Sequence, residues 1–445
     1  MTAILIVIFV IGYILIASEH VLHVNKATFA LIMCGLLWSV YAMMGHDAAI
    51  SSDLVEALGD TCEIVVFLIG AMTIVELIDR YGGFRIIVDR IHAGNKRKLL
   101  WVLALFAFFL SSVLDNMTTT IIMVMMLRRM LQDQRERWIF ACVIVIAANS
   151  GGAWSPIGDI TTIMLWMKNY VSSVSLIVNL LIPSLISVVV PVLIASRMIP
   201  AAAVEPLNEN DACIGYDLSK DHRHLPSLIL ICGVAGLLFV PVFKSITHLP
   251  PYMGILLSLG FLWLLTELLV RHFKLEGKIE GRVSQVLRNI DMSTILFFLG
   301  ILMAVSALSQ AGILGALAGW LNDSFHNVYM IDGIIGVLSS IVDNVPLVAA
   351  CMEMYPVATD AMISASADPS YMSLFVEDGL FWHLLTYCAG VGGSLLIIGS
   401  AAGVVAMGIE KISFTWYLKN ITWLAFIGYL CGLGVIALET LIITI

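Results

Sequence analysis

Ser111-Ser112-Val113-Leu114-Asp115-Asn116 recurs as Ser339-Ser340-Ile341-Val342-Asp343-Asn344, 228 residues further along the chain. An Asp-Asn pair inside an apolar run breaks a helix at a depth where lipid offers exposed backbone no partner. Finding the pair twice prompts a search for a repeat. Phe67-Leu68-Ile69-Gly70 parallels Phe298-Leu299-Gly300, and Tyr81-Gly82-Gly83 falls opposite Ala311-Gly312-Ile313, at an offset of 230. Gly151, Gly152 and Gly158 then line up with Gly392, Gly393 and Gly399, at an offset of 241. The growth in offset fits a longer loop in the second copy, around Ser364 to Asp378. Matches in the same order divide the chain into copies 1–197 and 225–445, joined by a polar linker, 198–224.

Composition gives the class. Of 445 residues, 60% are hydrophobic and 12% charged, with a mean hydropathy of +0.99. A soluble domain of that size needs far more charge on its surface. Apolar runs approach or exceed the roughly 18 to 20 residues that span a bilayer as helix. The first, Thr2 to Ala17, lacks a basic leading region and a clear cleavage site, so it reads as a retained membrane helix. The net charge of −9 and the lack of a basic stripe outside membrane-flanking loops argue against nucleic acid as a partner. The eight cysteines are scattered without CxxC spacing and read as buried free thiols, with neither disulfides nor a metal site indicated.

Spanning helices are expected near 3–17, 27–44, 62–79 and 174–196, with interrupted segments at 99–127 and 138–168. The second copy repeats them near 225–243, 251–270, 291–309 and 416–442, with interruptions in 326–352 and 380–409. Basic residues crowd Arg80 to Lys98 and Arg128 to Arg137, so both ends of 99–127 belong in the cytoplasm. That segment is then a re-entrant hairpin. Its return arm, Thr118 to Leu127, is about 15 Å of helix, which sets the tip near the midplane. The loop from Arg271 to Arg288 is basic, while 45–61 and Glu353 to Asp378 carry acids and no Lys or Arg, so these face the outside. Each copy has five spanning helices and one hairpin. Five is odd, so the copies are inverted. The expected fold is an all-α polytopic membrane protein of two inverted-topology repeats, with discontinuous helices meeting at the midplane.

An acid at membrane depth is costly and points to function. Asp115, Asp343 and Asp159 meet that condition. Asn116, Thr118 and Thr119 add oxygen atoms to the first tip, and Ser339 and Asn344 to the second, as Ser111 does upstream. Asn149, Ser150 and Ser155 surround Asp159, while Gly151, Gly152 and Pro156 supply the break. In the second copy Ser394 and Ser400 stand there, with Ser400 in place of Asp159. Carboxylate, amide and hydroxyl oxygens are the ligands that small hard cations prefer, and sodium is such a cation. The alternatives are that Asp115 and Asp343 only cap half-helices, and that Asp159 only bonds Thr161 or Thr162. Glu63, at the outer start of a helix, is a further candidate. Glu76, Asp79, Glu267 and Asp291 read as interfacial, and His20 and His23 as a solvated pair in an inner loop. No basic residue is expected near either tip.

These tips, followed by Asn149-Ser150-Gly151-Gly152-Ala153-Trp154-Ser155-Pro156-Ile157-Gly158-Asp159, resemble the NhaD-type sodium/proton antiporters. That family sits within the broad ion-transporter superfamily of arsenite exporters and sodium-coupled dicarboxylate carriers. In the dicarboxylate branch the tips read Ser-Asn-Thr, so the acids at 115 and 343 favour cation exchange. Val345-Pro346 replaces Met117-Thr118, so the second tip offers fewer hydroxyls. The resemblance implies a homodimer in the lipid bilayer of a bacterial cytoplasmic (inner) membrane, with a fixed scaffold and an elevator-like moving domain. It implies no cofactor and no enzyme activity, only transported sodium, or lithium, and protons.

The expected mechanism lets Asp115, Asp343 and Asp159 hold sodium or protons, not both. An arsenite exporter or sodium-coupled organic-anion carrier of the same fold is the main alternative, and a passive channel is another. An intramembrane aspartyl protease fits less well, because Pro156-Ile157-Gly158-Asp159 lacks the Gly two before Gly-Asp. Both termini are expected on the outer side. An N-terminal tag should therefore be reached by an impermeant reagent from outside intact cells, and labelling only from the cytoplasm overturns the orientation.

Overall fold

In the computed structural model, residues 2–22, 24–44, 50–88, 94–200, 202, 224–273, 286–341 and 343–444 are described. Nearly all of the expected linker 198–224 lies outside them, as do 45–49, His23, Arg90, and Lys274, Lys278 and Arg282 of the expected inner loop. The described residues form helices and no strand. Seven helices are long and apolar enough to cross a bilayer: Ile50–Arg80, Lys96–Leu114, Ser173–Met198, Leu225–Thr247, Pro251–His272, Met292–Gln310 and Thr422–Ile442. Thr2–Ala17 and Lys26–Ala42 are apolar and slightly shorter. The chain is an all-α polytopic membrane protein.

The breaks fall where the sequence places them. Lys96–Leu114 and Asn116–Met130 meet at Asp115, and Val328–Leu338 and Asn344–Met354 meet across 339–343. Gln134–Ala153 gives way to Ile160–Met167, and Leu380–Gly392 to Ala401–Glu410. Broken helices pack closely only because glycine removes the Cβ. A Cβ on Gly151 would strike the Phe108 carbonyl, and one on Gly392 the Gly336 carbonyl. Beside those contacts Ser111 Oγ donates to the Ala148 carbonyl at 2.6 Å, and Ser339 Oγ to the Ala389 carbonyl at 2.8 Å. Gly82 and Gly312 both turn the chain with φ of 73° after a long helix.

Charge sorts the two ends of the bundle. At one end Lys96 pairs with Glu136 at 2.6 Å, and Arg97 Nε donates to the Ile199 carbonyl at 2.9 Å. Buried Glu410 meets Arg128 at 3.0 Å and Arg137 at 2.9 Å there. Both feet of the first hairpin thus stand at this basic end. At the acidic end Lys168 meets Asp60 at 2.5 Å, and Tyr170 Oη donates to the Met352 carbonyl at 3.0 Å. Asn322 receives Tyr355 and Tyr371 hydroxyls, which gathers the feet of the second hairpin.

Three elements differ from expectation. Ile50–Arg80 has 31 residues where 62–79 is expected. Hydropathy marks where a helix leaves lipid, not where its hydrogen bonds end, and Asp53, Glu56 and Asp60 ride on turns beyond that point. The return arm, Asn116–Met130, is likewise 15 residues, because Arg128 continues the helix to reach Glu410. Ile313–Phe325 is a helix the hydropathy pattern does not isolate, since only Ala311-Gly312 separates it from its predecessor. The seven described cysteines are free, and Cys62 is exposed where burial is expected.

Glu410 ties together the return arm, the start of Gln134–Ala153 and its own helix, and Trp138 Nε1 donates to its carbonyl at 3.0 Å. Replacing Glu410 by Ala leaves two guanidinium groups facing each other. Arg128 is half exposed, so the expected loss is about 2–3 kcal/mol, below that of a fully buried pair. Thermal melting of the solubilised protein measures it; an unchanged midpoint removes the clamp.

Candidate ion-binding site

Four helix breaks converge at the centre of the bundle, and each places a polar residue at the start of a half-helix. Asp115 caps Asn116–Met130, Asp159 caps Ile160–Met167, Asp343 caps Asn344–Met354, and Ser400 caps Ala401–Glu410. Each side chain accepts an orphan backbone N–H, and the positive end of each half-helix favours the three acids there. Capping is therefore real, but it does not exhaust the groups.

Asp159 shows why. Its Oδ1 accepts the Thr161 N–H at 3.2 Å, while the Thr162 hydroxyl donates to the Asp159 carbonyl at 2.7 Å. Its Oδ2 faces the tips. Asn116 Nδ2 donates to it at 2.9 Å, and Asn344 Nδ2 approaches it at 3.4 Å. One carboxylate oxygen thus gathers an amide from each hairpin. Asn116 Nδ2 also reaches Asn149 Oδ1 at 3.0 Å, and Asn149 Nδ2 donates to Ser394 Oγ at 2.9 Å and Ser400 Oγ at 2.8 Å. Ser150 Oγ accepts from Ser187 at 2.9 Å, and Ser155 Oγ donates to the Ser112 carbonyl at 2.5 Å. Asn116, Asn149, Asp159, Asn344, Ser394 and Ser400 are all buried.

Asp115 sits in the first tip with φ 119° and ψ 160°, a region that glycine tolerates and other residues enter at a cost of about 1–3 kcal/mol. Its Oδ1 accepts the Thr118 N–H at 2.7 Å and its Oδ2 the Thr118 hydroxyl at 2.8 Å. The Thr119, Thr120 and Thr161 hydroxyls are buried and lack hydrogen-bonding partners among the described residues. Buried hydroxyls are normally satisfied, so these three, in the first turns of the half-helices capped by Asp115 and Asp159, are open oxygens of the kind hard cations take.

The second tip overturns one expectation. A basic residue does lie there: Lys26 Nζ is 2.8 Å from Asp343 Oδ2. The two are 317 residues apart, so no local spacing could link them. Asp343 Oδ1 accepts the Val345 N–H at 3.2 Å. Glu63 is not brought to the tips; it lies 3.5 Å from Lys168 at the acidic end. Glu76 pairs with Arg80 at 2.9 Å, and Asp291 accepts the Ser293 and Thr294 hydroxyls at 2.5 Å each. Asp332 also escaped notice. It is fully buried with neither carboxylate oxygen hydrogen-bonded among the described residues, and a lone acid within Val328–Leu338 is the signal that could have found it.

Two cavities approach this centre unequally. One of about 220 Å³ is lined by Tyr13, Lys26, Met117, Asp291, Asp343 and Ser400, and so touches both tips. The other, about 200 Å³, is lined by Asp60, Thr61, Lys168, Ser306 and Glu353 and touches none of the site residues. Leu302 and Val305 of Met292–Gln310 reach this second cavity, whereas Asp291, Ser293 and Thr294 line the first, so the first opens toward the basic end.

A family described as citrate transporters matches residues 13–376. The chain is 43% identical to sodium/proton antiporter 2 of Arabidopsis thaliana over 96% of its own length and 97% of that protein's. It is 30% identical to the Na(+)/H(+) antiporter NhaD of Vibrio cholerae, over 96% and 89% of the two lengths. A Halomonas elongata protein of the same name is 29% identical over 96% and 86%.

Strain and capping oppose each other at Asp115. Replacing it by Gly removes about 1–3 kcal/mol of strain at the loss of a cap worth only a few tenths of a kcal/mol, since glycine is itself a fair N-cap, so stability should be unchanged or raised. Gly151→Ala, by contrast, drives a methyl into the Phe108 carbonyl and should cost about 1–3 kcal/mol. Melting of both variants checks this, and a fall at Asp115→Gly as large as at Gly151→Ala refutes the strained tip.

Proposed function

The chain belongs to the citrate-transporter family by its family match and to the NhaD-type sodium/proton antiporters by its relatives, and from that premise we propose that it exchanges sodium for protons at the junction of its two hairpin tips. One observation carries the reading: Asn116 and Asn344, one from each tip, meet at a single oxygen of Asp159. A group shared by both tips senses the occupancy of either. Asp115 and Asp343 stand beside those asparagines, and Asn149, Ser150, Ser155, Thr118 and Thr119 complete an oxygen-rich surround.

The proposed chemistry is competition. Sodium needs ionised carboxylates with free lone pairs, and a proton on the same oxygens abolishes that ligand. Sodium entry from one side therefore releases protons, and protonation from the other releases sodium. Copies 1–197 and 225–445 are read as inverted repeats whose tips enter from opposite sides, the architecture that gives alternating access. The first cavity reaches the tips from the basic end, which the positive-inside rule assigns to the cytoplasm, so the conformation is read as inward-open. Both termini then face the outer side. The Glu410 clamp joins three site-bearing elements, which supports their riding as one elevator-like body. A homodimer and a bacterial inner membrane are what the resemblance implies, and lithium is the alternative cation.

The family description raises organic-anion carriage as a second reading. An anion site needs a free cation at the tips, and Lys26 is committed to Asp343. Cation exchange is the better fit.

Everted vesicles or proteoliposomes with an acid interior test this directly. Sodium, lithium, potassium, citrate and succinate would be added outside in turn. Collapse of the gradient by sodium or lithium alone supports exchange, while collapse by a carboxylate and not by an alkali cation turns the assignment to the anion reading. Asp159→Asn or Asp115→Asn should abolish exchange in a folded protein; wild-type rates in either remove that residue from the site.

A further inference from the structure

Lys26 is the first residue of the helix Lys26–Ala42, where an ammonium group opposes the positive end of the helix dipole. Two neighbours fix it there. Asn25 caps the helix by accepting the Ala27 N–H at 2.9 Å, and Glu19 Oε1 accepts the Lys26 backbone N–H at 3.2 Å. The side chain then crosses to the other half of the protein. Its ammonium lies 4.1 Å above the Phe297 ring and 2.8 Å from Asp343 Oδ2, at the wall of the cavity that opens toward the basic end. Asp291 lines the same cavity but is satisfied by Ser293 and Thr294, so it does not compete for Lys26.

The two tips thus differ in kind. Asp115 is held by neutral donors from Thr118, whereas Asp343 carries a cation supplied by the chain. Both members of that pair are partly exposed, Lys26 at 25% and Asp343 at 19%. An ion in the cavity can therefore approach the pair without unfolding either helix.

We infer that Lys26 is a specificity-determining residue: its ammonium is a tethered competitor that occupies Asp343, and sodium entering the cavity must displace it to use that carboxylate. The inference rests on the antiport reading and deepens it. Three consequences follow. A tethered ammonium lowers apparent sodium affinity by the worth of a part-exposed ion pair, roughly fivefold. It keeps the empty tip charge-balanced at membrane depth. It also spans Lys26–Ala42 and the second hairpin, so it holds the tip in its present position until an ion arrives.

Purified full-length protein at alkaline pH supplies the test. Sodium chloride is titrated against choline chloride at constant ionic strength, and the sodium concentration giving half the rise in melting temperature is read. Lys26→Met keeps the aliphatic stem over Phe297 and should lower that concentration about fivefold. Lys26→Arg should restore the parent value, and in an Asp343→Asn background Lys26→Met should change nothing further. Should Lys26→Met fail to melt cooperatively, Lys26→Gln is measured in its place. A half-saturating concentration unchanged or raised in the folded variant, with the parent responding to sodium, overturns the tethered competitor alone; a merely structural pair gives this result, with only the melting temperature lowered. A parent protein that responds to no alkali cation removes the antiport reading and this inference together.

Discussion

A helix broken in mid-membrane leaves carbonyls at one end and N–H groups at the other with no solvent to take them. Four such breaks lie in the centre of this bundle, and every other feature of the centre answers that constraint. Gly151 and Gly392 let paired helices close until backbone meets backbone. Ser111 and Ser339 donate to carbonyls of the facing helix, at Ala148 and Ala389. Asp115, Asp159, Asp343 and Ser400 take N–H groups at the four half-helix starts. Acids are good caps, so the structural need and the proposed ion site draw on the same residues.

That double use decides which capping acid turns an oxygen to the tips. Asp115 spends both oxygens on Thr118, and Asp343 spends one on Val345 and the other on Lys26. Asp159 spends only Oδ1 on its cap and offers Oδ2 to Asn116 and Asn344. Ser400, its counterpart in the second copy, instead accepts from Asn149. The two sets of broken helices share a plan of breaks, and differ in that an acid at one break faces both tips where the other has a serine. In the proposed exchange, that one acid would serve a carrier that presents the same site to each side in turn.

The legible part of the fold was whatever short-range pattern records. Apolar runs, the Asp-Asn breaks and the glycine spacing gave most of the long helices and the four interruptions, though not the start of Ile50–Arg80 nor the helix Ile313–Phe325. Asn116, Asn149, Asp159, Ser394, Ser400 and Asn344 were all named from spacing, and they form one hydrogen-bonded network. What escaped was set by long-range contacts. Lys26 drew no reading from the sequence, and only the fold carries it to Asp343. Glu410 drew none either; only the fold brings Arg128 and Arg137 to it. The first turns of Ile50–Arg80 were hidden because hydropathy reports lipid contact and not helix length.

The same pairings differ in how firmly they join the parts of the molecule. Glu410 locks the return arm of the first hairpin to the two half-helices beside it, and its carboxylate is fully buried, so opening that clamp leaves charges without partners. The Lys26–Asp343 pair is wetter, beside a cavity, and joins elements on either side of the tips. A part-exposed pair is worth about 1 kcal/mol or less, well within what an arriving ion can replace. The strong joint therefore lies within the group that carries the site, and the weak one lies across its boundary. Under the proposed exchange, a motion that preserves the first and breaks the second would carry the hairpin and half-helices together past the helix that bears Lys26.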